Sequence, residues 1–145
     1  MTIESTTYDS TTTWNKRGKP SLIRIESGNQ GRIHFSVSAV NLLGLKEGSR
    51  IAFRCYKNDA GIIYFYEQAT GIQLKKVHQC KSGISLAIYC RPLGEQMLKH
   101  FGYTKDTYKT FLLKADQVTM PGTNCQAWFI TKENIHKPIQ WRKKT

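Results

Sequence analysis

Apolar positions along the first third of the chain change period twice within a few residues. Ile33 and Phe35 alternate with Arg32, His34 and Ser36, the period of two that buries one face of a strand and wets the other. From Ser38 the spacing widens to Ala39, Leu42 and Leu43 until Gly44, which reads as barely two helical turns with a glycine stop. Lys46, Glu47, Gly48 and Ser49 make a polar turn, after which Ile51, Phe53 and Cys55 alternate with Arg50, Ala52 and Arg54. The pattern predicts a strand over 32–36, a helix over 38–43 and a strand over 50–57. So short a helix does not hold itself together in water, because nucleation costs more than its few hydrogen bonds return. It has to pack on strands from elsewhere.

Upstream, the alternation over 22–26 and the turn residues Ser27, Gly28, Asn29 and Gln30 predict a hairpin with the 32–36 strand. Downstream, Asn58 to Gly61 joins 50–57 to a strand over 62–68, in which Ile63 and Phe65 point one way and Ile62, Tyr64 and Tyr66 the other. Thr70 and Gly71 turn the chain into an alternating stretch over 72–78. The order then starts over: strand 84–90, helix 93–101, Gly102 stop, polar turn, strand 108–114, turn 121–124 and strand 125–131. Setting Gly44 opposite Gly102 aligns the turn KEGS with TKDT, and the shared order and glycine placement read as a duplication. Two half-units, about 21–79 and 80–131, then pair as a pseudo-two-fold and bury each other's helices. The expected fold is mainly β with short helices, of the α+β class, a compact barrel of two pseudo-symmetric strand-helix-strand halves. Residues 1–20, rich in Ser and Thr, are expected as a flexible tail, 21–131 as a single domain, and 132–145 as a basic C-terminal tail.

Composition narrows the partner. With 145 residues and 39% hydrophobic positions the chain fits one ordinary core. Its 22 Lys and Arg against 10 Asp and Glu give a formal charge of +12, which attracts polyanions. No apolar run approaches the roughly 18 residues of a membrane span, and the N-terminus lacks a charged-then-apolar leader. A cytoplasmic protein without membrane contact is expected. Cys55, Cys80, Cys90 and Cys125 form no CxxC pair, so reduced, buried thiols are expected. His78 with Cys80 is two ligands short of a metal centre. Neither metal nor cofactor is expected, and the absence of GxSxG, P-loop, HExxH and dinucleotide fingerprints argues against an enzyme. If the halves pair, His34 near Cys90 is the Cys-His arrangement open to nucleophilic chemistry.

The stretch IRIESGNQGRIHFSVSAVNLLGLKEGSRIAF resembles the AbrB/MazE-type swapped-hairpin domain through Gly31, Arg32, Ile33, Leu43, Gly44, Leu45, Lys46, Glu47 and Gly48. The chain departs from that pattern at Ser36, Val40 and Ser49, where the family usually has Pro, Arg and Asp. The resemblance covers about a quarter of the chain. It implies two half-units intertwined into a β barrel, commonly a homodimer, and a function among DNA-binding transcriptional regulators or antitoxins. Here the second half comes from the same chain, so a monomeric pseudo-dimer or a homodimer is expected.

The basic side chains supply the candidate site for nucleic acid, with DNA foremost. Arg24 and Arg32 flank the first hairpin, while Arg50 and Arg54 share a strand face at even spacing, so the four are expected to form one cationic surface. Lys75, Lys76 and Lys81 make a second cluster, and Lys137, Arg142, Lys143 and Lys144 a third in the tail. Tyr64, Phe65, Tyr66, Tyr103, Tyr108 and Phe111 interleave with these charges and offer stacking surfaces for a single-stranded ligand. The alternative is a protein-interaction module, such as a MazE-like antitoxin, anchored on a protein partner by Trp141 or a sheet edge.

Overall fold

A computed structural model describes residues 20–28, 31–105 and 107–136. The N-terminal tail and the third basic cluster, with Trp141, Arg142, Lys143 and Lys144, lie outside the described residues. The elements run β1 (Leu22–Glu26), β2 (Arg32–Phe35), α1 (Val37–Leu43), β3 (Arg50–Tyr56), β4 (Asp59–Glu67), β5 (Ile72–Gln73), β6 (Lys75–Cys80), β7 (Gly83–Tyr89), α2 (Arg91–His100), β8 (Tyr108–Leu112), β9 (Val118–Thr119) and β10 (Gln126–Thr131). The protein is mainly β, with two antiparallel sheets and two helices among the described residues, an α+β arrangement.

The first sheet has the order β6-β7-β2-β1-β8 and the second β5-β3-β4-β10-β9. Each is centred on a pair of corresponding strands, β2 against β7 and β4 against β10. At the flanks β8 adds to β1, while β3 adds at its start to β5, which leads through Leu74 into β6. β6 forms a hairpin with β7 as β1 does with β2.

α1 rests on the β6–β7 hairpin and α2 on the β1–β2 hairpin. The Asn41 side-chain amide of α1 donates to the Ser82 carbonyl in the β6–β7 turn at 3.0 Å. The Cys90 N–H at the start of α2 donates to the Gly31 carbonyl at 3.0 Å, and Gly94 lies against the Glu26 carbonyl. Both helices end alike. Gly44 and Gly102 take positive φ (68° and 85°), and the next N–H reaches back over the last turn, Leu45 to Val40 at 3.0 Å and Tyr103 to Leu98 at 2.8 Å. Ser36 caps α1, its hydroxyl oxygen accepting from the Ala39 and Leu22 N–H groups.

The main core lies between the sheets. Ile23, Ile25, Ile33, Phe35, Leu86, Ile88 and Phe111 enter it from the first sheet, Ile51, Ile63, Phe65 and Ile130 from the second, and Val40, Leu43, Met97, Leu98 and Phe101 from the helices. Phe65 packs at its centre, with Phe35, Phe53 and Trp128 ring centroids 5.6–5.8 Å away. In α1 the buried positions are Ala39, Val40 and Leu43, whereas Leu42, expected inside, is exposed. A smaller cluster forms on the outer face of the second sheet, where Met120 packs with Tyr64, Ala127 and Phe129. Residues assigned to the C-terminal tail also join the fold: Lys132–Asn134 form a 3-10 turn, Ile135 bridges Phe111, and the His136 N–H donates to the Thr110 carbonyl at 2.8 Å.

A Cβ at position 94 would stand 2.2 Å from the Glu26 carbonyl oxygen, whereas one at position 61 meets nothing closer than 3.7 Å. Gly94→Ala is therefore expected to cost about 1–3 kcal/mol in urea unfolding through overpacking. Gly61→Ala should stay within about 1 kcal/mol of the parent. Equal midpoints for the two variants would contradict the packing of α2 on the first hairpin.

Candidate nucleic-acid interface

Side chains on opposed residues of antiparallel strands share a face, so the registers of the first sheet spell out its outer surface. One row crosses four strands as Tyr89, Arg32, Glu26 and Tyr108. The next crosses five, as Lys75, Ala87, His34, Arg24 and Thr110. A third carries His78 and Ser85, then Ser36, Leu22 and Leu112. The inward positions between these rows are the isoleucines, leucines and phenylalanines of the core, which is why the polar set is held outward as a group.

The centre of this face is an ion cluster. The Arg32 Nε–H donates to Glu26 Oε2 at 3.0 Å, and Arg24 Nε is 2.9 Å from Oε1 of the same carboxylate. One acid thus bridges two guanidinium groups and leaves a surplus positive charge. Arg24 Nε is buried and within ion-pair distance, yet not aligned to hydrogen-bond. The Arg24 guanidinium instead lies over the Tyr108 ring, 4.0 Å from its centroid. Tyr108 is 51% exposed and Tyr89, at the opposite end of the row, 41%.

Beside the arginines a cleft of about 580 Å³ opens between β2, β6 and α1, lined by Arg32, His34, Ser36, Asn41, His78 and Ser85, a size that suits a small organic group. His34 is half-buried there. Burial and the neighbouring Arg32 hold its pKa below the ordinary 6.5, with Arg24 acting the same way and Glu26 opposing. Its imidazole is neutral at pH 7, so the cations of this face are the arginines and Lys75.

The expected single surface of four arginines is divided. Arg24 and Arg32 lie on the outer face of the first sheet, but Arg50 and Arg54 alternate with Ile51 and Phe53, whose burial turns both arginines to the outer face of the second. Arg50 there donates to the Gly71 carbonyl at 3.2 Å, and Arg54 stands opposite Tyr64. Lys75 joins Arg24 in its row, and Lys76 and Lys81 are exposed on the same edge hairpin. Of the expected stacking aromatics, Phe65, Phe111 and Tyr64 are buried, and Tyr103 packs against the core, leaving Tyr108 as the most open. Tyr89 was missed, although Ser85, Ala87 and Tyr89 alternate with Ile84, Leu86 and Ile88. Glu26 was missed because its bond to Arg32 depends on the register of the hairpin.

Cys90 packs against the core while His34 faces outward from the same sheet, so the Cys-His arrangement is not formed. None of the four cysteines is in a disulfide, and Cys55, Cys80 and Cys125 are exposed rather than buried. Among the described residues no group of three or more His, Cys, Asp or Glu side chains could hold a metal ion, and no helix is long and apolar enough to cross a membrane. The fold and this face define an α+β protein of two packed antiparallel sheets with a cationic, tyrosine-flanked sheet surface. No family model, curated protein or solved structure matches the chain.

The lowered pKa of His34 has a pH signature. Between that value and 6.5 the unfolded chain binds a proton that the folded chain does not, so stability rises with pH across this window and is lost as pH falls through it. On going from pH 7.5 to 5, His34→Gln is expected to lose less thermal stability than the parent. Parallel losses in the two proteins would show that His34 is not the group responsible.

Proposed function

We propose that this protein is a non-catalytic nucleic-acid-binding module, with DNA as its first ligand and the outer face of the first sheet as its contact surface. One observation carries the reading: Arg24, Arg32 and Lys75 share a sheet face with two exposed tyrosines, and Glu26 is the sole acid in the three rows. Cations so grouped displace counterions from phosphates, and the formal charge of +12 speeds the approach of a polyanion. The resemblance to the swapped-hairpin regulators points the same way. The exchange of β8 and β3 between the halves supports it, as does the passage of the chain from one sheet to the other along β5, Leu74 and β6. On this reading the duplicated halves close into a barrel, the single chain supplies both halves of what is elsewhere a dimer, and the protein acts as a regulator of transcription.

The test is fluorescence anisotropy with labelled oligonucleotides over a salt series. Arg24→Ala with Arg32→Ala should weaken binding and lower the slope of log affinity against log salt by about 2, one for each lost phosphate contact. Arg50→Ala with Arg54→Ala, on the opposite face, should change both much less. Absence of binding at low salt, or equal effects of the two pairs, overturns the assignment.

A further inference from the structure

The row Tyr89, Arg32, Glu26 and Tyr108 has a more specific geometry than charge attraction requires. Three strand intervals of about 4.8 Å each separate the two tyrosines, a span of about 14 Å; Arg32 and Glu26 lie between them, and Arg24, from the adjacent row, reaches the same carboxylate. Arg24 covers one side of the Tyr108 ring, and half of that residue remains open. An aromatic ring at each end of a cationic track suits unpaired bases, because every base offers a face for stacking once it is released from its neighbours, whereas the bases of a duplex keep theirs covered.

We infer that this row is a platform for single-stranded nucleic acid, with one base stacked on Tyr89, another on Tyr108, and an intervening phosphate bound by Arg24 and Arg32. The inference rests on the nucleic-acid reading and adds to it a ligand class and a control element. Glu26 occupies the phosphate position in the free protein. Its two carboxylate oxygens face the two guanidinium groups at 2.9 and 3.0 Å, as a phosphate's oxygens would. Binding therefore exchanges one anion for another on the same pair of cations, and the internal carboxylate selects against ligands that bring charge without bases to stack.

The experiment compares a labelled 12-nucleotide thymidine strand with the same strand paired to its complement. The parent is expected to favour the single strand by about tenfold or more. Tyr89→Ala and Tyr108→Ala should each weaken single-strand binding by about tenfold with little effect on the duplex, while Tyr89→Phe and Tyr108→Phe retain it. Glu26→Gln should tighten single-strand binding several-fold beyond Glu67→Gln, which makes the same change in net charge at an exposed site outside the row. Circular dichroism checks that each variant is folded. Equal affinity for the two ligands, with alanine variants of the tyrosines binding as the parent does while Arg24→Ala with Arg32→Ala still weakens binding, overturns the platform and leaves the broader reading standing. Glu26→Gln matching Glu67→Gln overturns the exchange of anions. Binding of neither ligand overturns both readings together.

Discussion

The fold depends on strand pairings between segments distant along the chain, β2 with β7 and β1 with β8. A β1–β2 hairpin with one apolar face and a seven-residue helix buries too little to stand alone. Pairing β2 with β7 and adding β8 to β1 turns two marginal hairpins into a five-stranded sheet. The helices complete it: α1 seats on the β6–β7 turn and α2 on the first hairpin, so each hairpin is covered by a helix from a distant part of the chain. The cost is a set of contacts distant in sequence, such as Glu26 with Tyr108, which must be made against the entropy of the chain between them.

That constraint also makes the site. Once the isoleucines and phenylalanines of β1, β2, β7 and β8 point inward, the intervening residues are forced outward into straight rows. Tyr89 on β7 and Tyr108 on β8 meet Arg32 and Arg24 of the first hairpin only through the central β2–β7 and flanking β1–β8 pairings. The second sheet treats its outer face differently. The segment carrying Met120 folds over Tyr64 and Ala127, and the Tyr56 hydroxyl donates to the Pro121 carbonyl at 2.9 Å. Its aromatics are thereby spent on packing, while those of the first sheet stay open.

The electrostatics of the open face are moderated from within. Two guanidinium groups side by side would repel, and Glu26 between them removes most of that penalty while leaving one net charge. His34 beside them stays neutral because burial and Arg32 both disfavour a further proton. The result is a surface whose two guanidinium groups are held in place by one shared carboxylate.

Most of the elements and their order were legible in local pattern, β9 and the 3-10 turn at Lys132–Asn134 excepted. Alternation marked the strands at 22–26, 50–57 and 84–90, and Gly44 and Gly102 marked both helix ends, because period and backbone conformation are local properties. Alternation within each strand also told which side chains share a face, as with Ile63 and Phe65. Which faces of different strands belong together is set by the strand pairings and not by local pattern. Arg50 and Arg54 look equivalent to Arg24 and Arg32 along the chain, yet they sit on the second sheet, since sheet membership follows from pairing partners far away in sequence. The same holds for β6, where alternation is legible only over 72–78 and whose bounds and place in the first sheet are set by its hairpin with β7. The row that joins Tyr89 to Tyr108 exists only through three successive strand registers, and no spacing along one strand encodes a neighbour on another.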